Sequence, residues 1–133
     1  MVHDFIVMSR ASSENYAVAV HEYTHLMIHQ SGMELPAWLN EGRAELYSSL
    51  EPRGSQILVG RVLPGRVHTL SAEKWIPLAT LLNMDHRSPY YNEKSHAGMF
   101  CAESWALVHM LNLDPGYRPH LSAMALALKD GSQ

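Results

Sequence analysis

Two apolar runs flank a polar centre near the start of the chain, Tyr16-Ala17-Val18-Ala19-Val20 before it and Leu26-Met27-Ile28 after it. The whole stretch can be helical, and it predicts a first helix over about 14–31. Ser12, Ser13 or Asn15 could cap it, and Gly32 could stop it. A second helix is predicted over about 36–50. Pro36 suits its first turn, while Ala37, Trp38, Leu39, Ala44, Leu46 and Tyr47 supply apolar surface. Glu51-Pro52-Arg53-Gly54 reads as a turn that ends it. Ahead of both, residues 2–8 alternate weakly and carry Val2, Phe5, Ile6 and Val7, which predicts a strand, joined by a polar connector over 9–14.

Further along, Gln56–Val62 and Arg66–Leu70 are short β-prone runs on either side of Leu63-Pro64-Gly65, so a hairpin or loose strand pair is expected there. Ser71-Ala72-Glu73-Lys74 reads as a turn into a short helix from Trp75 or Pro77 to Met84, with Pro77 in its first turn. Residues 85–92 read as a polar loop. The next helix, about 94–112, is nearly continuously apolar at Phe100, Trp105, Ala106, Val108, Met110 and Leu111, so it should lie centrally. Asp114-Pro115-Gly116 ends it, and a last helix is predicted over 118–129. The expected class is α+β, mainly α, in one domain spanning 1–133.

Composition narrows the choices. At 133 residues with 47% hydrophobic content the chain can form a real core. Net charge is −3 and no Lys/Arg cluster occurs, so nucleic acid is not an expected partner. The single Cys101 excludes an internal disulfide. No apolar run approaches the roughly 20 residues that span a bilayer, so no transmembrane segment is expected. The N-terminus lacks a basic region and a cleavage site, so no signal peptide is expected and the compartment stays open. The eight Met residues read as core filler.

The polar centre of the first helix is His21-Glu22-Tyr23-Thr24-His25, an H-E-x-x-H motif. Residues four apart on a helix share a face, so both imidazoles can reach one ion. Glu22 lies about 100° round the axis, where a carboxylate can take a proton from a water and pass it to a leaving amine. With 9 His and 9 Glu in the chain, chance would supply about 0.04 such motifs. Zinc takes neutral imidazole nitrogen and keeps an open position when catalytic. Glu41, on the second helix, is the expected third ligand. Glu45, one turn on, is expected to accept the free N–H of a ligand His, most readily His21. Gly42 costs about 1 kcal/mol in a helix relative to Ala, and its missing side chain could let this helix approach the zinc helix. His29, one turn beyond His25, offers a fourth ligand that would close the site; a partly exposed His at a helix end is the plainer reading.

This pattern resembles the zincin metallopeptidases of the glutamate-ligand branch, the thermolysin-like clan (gluzincins). The run Leu35-Pro36-Ala37-Trp38-Leu39-Asn40-Glu41-Gly42-Arg43-Ala44-Glu45 is similar to the peptidase MA-like group within it. The resemblance covers residues 15–50 closely and 100–109 more loosely, where Cys101 stands in place of an expected Tyr and Glu103 in place of an expected Gln. It implies a zincin-like catalytic core with a reduced N-terminal sheet, and Zn2+ held by His21, His25 and Glu41. It also implies Glu22 as general base and a peptide or protein as substrate. An exposed sheet edge would allow pairing with an extended substrate or with a second copy. Oxyanion donors are sought among Tyr90, Tyr91 and His96, with His68 and Tyr47 behind them. The alternative function is a zinc-binding scaffold or regulatory domain without hydrolytic activity.

Overall fold

The computed structural model describes residues 13–85 and 94–129. The chain folds as helix α1 (Ser13–Gln30), helix α2 (Ala37–Ser48), strands β1 (Glu51–Arg53) and β2 (Gln56–Leu58), and helices α3 (Pro64–Ala72), α4 (Leu78–Asn83), α5 (Lys94–Leu113) and α6 (Arg118–Lys129). Among the described residues it is mainly helical with one small two-stranded sheet. The expected strand over 2–8, and all but Asp85 of the loop expected over 85–92, lie outside the described residues.

The bounds of α1 follow its chemistry. Gly32 takes a φ of 75° directly after the helix, and its N–H donates to the His29 carbonyl at 3.2 Å. An L side chain is disfavoured in that conformation, so the glycine stops the helix. Pro36 sits at the N-cap of α2, one residue earlier than expected, and its carbonyl accepts from Leu39 and Asn40.

The core is built on α5, which packs most extensively on α2 and also on α3 and α6. Phe100, Met99 and Val108 of α5 meet Trp38, Leu39 and Leu46 of α2, with Ile76, Leu81 and Leu121 completing the cluster. The expected central position of this helix holds. Gly42 gives the crossing its closeness, but the neighbour differs from the expected one. A Cβ there would collide with Val108 Cγ2 and the Ser104 carbonyl of α5, so α5 rather than α1 occupies the space. Buried Glu103 on α5 accepts a hydrogen bond from the Ile76 N–H, which ties the segment before α4 to the core helix.

The region after α2 departs from expectation. Glu51–Arg53 is a strand rather than a turn, and it pairs antiparallel with Gln56–Leu58 across Gly54-Ser55. The second expected strand is α3, begun by Pro64 at its first position. Proline fixes φ near its helical value and gives up an N–H that a helix start leaves unpaired, so Leu63-Pro64-Gly65 opens a helix instead of reversing a strand. Ser71 and Ala72 close α3, and Pro77 caps α4 from outside its first turn.

α1 packs chiefly on α2. Tyr16, Tyr23 and Met27, spaced along its far side, are about half exposed at 50%, 53% and 48%. Among the described residues, no helix is long and apolar enough to cross a membrane.

Candidate metal centre

His21 and His25 lie one turn apart on the side of α1 that meets α2, and Glu41 rises from the first turns of α2 to meet them. His21 Nε2 stands 3.2 Å from Glu41 Oε1, and His25 Nε2 stands 3.3 Å from Glu41 Oε2. The two Nε2 atoms are 3.1 Å apart. Around a tetrahedral zinc with bonds of about 2.0–2.1 Å, neighbouring ligand atoms stand about 3.3–3.4 Å apart. Each imidazole nitrogen thus stands at about that spacing from the other and from the Glu41 oxygen it faces, and one donor atom from each of the three residues lies within 4.8 Å of the others. Imidazole nitrogen and carboxylate oxygen are also the donors zinc accepts, so the residues fit the ion.

The protons on the outer atoms support the same reading. His25 Nδ1–H donates to Asn40 Oδ1 at 2.7 Å. That bond leaves the Nε2 lone pair of a neutral His25 facing its two neighbours. Asn40 was not foreseen; its place one residue before Glu41, on the helix that faces His25, is the signal that marks it. His21 Nδ1 faces Glu45 Oε1 at 3.6 Å, beyond hydrogen-bond distance. The expected bond between Glu45 and His21 is thus replaced by another. Arg66 of α3 holds both Glu45 oxygens, Nε to Oε2 at 2.8 Å and Nη2 to Oε1 at 2.7 Å. No spacing in the sequence pointed to Arg66, because the segment carrying it reads as a strand. Cys101 Sγ–H donates to Glu41 Oε1 at 3.6 Å from α5.

These contacts shift the titrating groups. Burial alone would raise the Glu41 carboxyl, but bonds and charge from His21 and His25 carry it well below the usual carboxylate range. The Glu41 contact raises His25 against the opposing effect of burial, with Asn40 adding to it. Burial, with the Glu41 charge beside it, pushes the Cys101 thiol up to about 12, so it stays a donor at neutral pH.

A cleft of about 600 Å³ opens beside the cradle. Ala17, Val18, His21 and Glu22 of α1 form one wall, and Leu63, Pro64, Gly65 and Arg66 at the start of α3 form the other. Glu22 is exposed to this cleft. His29 is exposed at the end of α1, and among the described residues the clustered metal donors there are His21, His25 and Glu41 without it. Tyr90 and Tyr91 lie outside the described residues. His96 belongs to the first turn of α5, not to the loop before it, and its side chain lies outside the described part. Among the described residues lining this cleft there is neither Tyr47 nor His68, nor any other tyrosine.

No family model, no curated protein and no solved structure matches this chain.

Proposed function

We propose that the chain is a zinc-dependent peptidase, with His21, His25 and Glu41 as ligands and Glu22 as general base. The observation that carries this reading is the convergence of His21 Nε2 and His25 Nε2, 3.1 Å apart, on the Glu41 carboxylate, whose Oε1 faces the first at 3.2 Å and whose Oε2 faces the second at 3.3 Å. Two imidazole nitrogens and a carboxylate this close repel one another unless a cation or proton lies among them. Zinc bound there would polarise a peptide carbonyl and bring a water's pKa to near 7.

The chain's own residues do the rest. Glu22, beside His21 and open to the cleft, takes the water's proton and returns it to the leaving nitrogen. Asn40 fixes the tautomer of His25. The facing walls of α1 and α3 hold the substrate strand.

One observation favours the second reading, a zinc-binding domain without hydrolysis. Cys101 stands where a tyrosine was expected, and the described cleft lining offers no tyrosine to stabilise an oxyanion. A single comparison separates the two. Zinc content and cleavage of a peptide pool are measured for wild type and Glu22→Gln. The peptidase reading expects one zinc per chain in both proteins and cleavage by wild type alone. Full zinc with no cleavage by either favours the scaffold, and wild type that takes up no zinc ends both.

A further inference from the structure

We propose that Arg66 is a positioning residue of the metal centre, acting through Glu45 to hold His21 in place; this rests on the zinc reading above. The Glu45 side chain is 7% exposed. A carboxylate so buried needs a counter-charge, and the Arg66 guanidinium supplies one in a forked, two-bond pair. The oxygen that accepts from Arg66 Nη2 at 2.7 Å is also the one facing His21 Nδ1 at 3.6 Å. Arg66 thereby keeps Glu45 from closing on the imidazole. Without the guanidinium, Glu45 turns to the His21 ring and draws it toward itself, away from Glu41 and His25.

Two further observations set the role of this pair. Glu41, Glu45 and Cys101 form a second group of metal-type donors within 4.8 Å of one another. Arg66 already supplies the positive charge that group calls for, so it serves the first centre rather than forming another. Arg66 also stands in the first turn of α3, the far wall of the cleft. The pair therefore joins the substrate wall to the helix that carries Glu41.

The test measures zinc affinity of the full chain by competition with a chromophoric chelator, with circular dichroism as the check on folding. Arg66→Gln is expected to weaken zinc binding by about 10-fold or more, at the scale of other outer contacts to metal ligands. Arg66→Lys should recover only part of the loss, since an ammonium cannot serve both carboxylate oxygens at once. The double variant Glu45→Gln/Arg66→Gln should bind no worse than the weaker single variant, because no buried charge remains to displace His21. Should Arg66→Gln fail to fold, the double variant is compared with Glu45→Gln alone: equal affinity is expected, and a further loss overturns the proposal. Folded Arg66→Gln with wild-type zinc affinity, or single losses that simply add in the double variant, overturns the proposal and leaves the zinc reading standing. Wild type without zinc affinity overturns both.

Discussion

Two candidate ligands are hydrogen-bonded outside the cradle, His25 to Asn40 and Glu41 to Cys101, while His21 faces at 3.6 Å a Glu45 oxygen that Arg66 holds. The Asn40 bond is the shortest contact made directly to a ligand, and it alone decides which His25 nitrogen faces inward. Asn40→Ala should therefore weaken zinc binding by about 10–100-fold, with little change in helix content, as isothermal titration would show. Unchanged affinity would mean that His25 is oriented by packing instead. A second residue-scale prediction concerns Glu103, whose carboxyl is raised by burial against the lowering effect of the Ile76 N–H. A carboxyl raised on folding contributes stability that is present below the unfolded value, about 4.5, and lost as pH rises through the folded value. Glu103→Gln keeps an oxygen for the Ile76 N–H and never ionises. It should melt higher than wild type at pH 7, and the gap should close as pH falls toward 4. A gap of the same size at both pH values would refute the burial argument.

At the scale of elements, five of the six described helices were expected from the sequence, all but α3, because each couples apolar positions to an end signal. α6 was expected over 118–129 and spans those residues, and α5 was expected over 94–112 and ends one residue later. His21, His25 and Glu41 could be placed together because they sit on the two helices with the clearest signals. α3 was misread for a physical reason: Val67 and Thr69 are β-branched, none of its residues is fully buried, and Pro64-Gly65 also resembles a turn. Arg66 was lost with it, since its bond to Glu45 spans 21 residues and depends on α3 being a helix. Gly42 shows the opposite limit. Its cost in a helix signalled a close neighbour, but only the packed structure identifies that neighbour as α5. Gly42→Ala gains about 1 kcal/mol of helix propensity and forces α2 and α5 apart, at a cost of about 1–3 kcal/mol or more. One of the two contacts, the Ser104 carbonyl, is backbone and cannot swing aside, so the expected net effect is destabilisation in a urea titration. A stabilised variant would show that the crossing has room to spare.

For the whole molecule, the position of α1 sets how metal and fold depend on each other. α2 and α5 share the buried core, whereas α1 reaches the rest chiefly through α2 and leaves Tyr16, Tyr23 and Met27 half exposed. The candidate ion would join His21 and His25 on α1 to Glu41 on α2, across an interface to which the described side chains of α1 bring no fully buried residue. In the zinc-free chain, α1 should therefore open ahead of the α2–α5 core, as a separate low-stability unit. Zinc at 100 times its dissociation constant stabilises the bound state by about 2.7 kcal/mol. Since opening α1 breaks the site, the same factor applies to its amides. Hydrogen exchange read residue by residue should show the α1 amides around Thr24 exchanging well before those around Ser104 when zinc is chelated. Adding zinc should slow the α1 amides by roughly 100-fold. Equal protection of the two helices without zinc would show that α1 is already part of the core. Exchange in α1 that ignores zinc would separate the cradle from any metal.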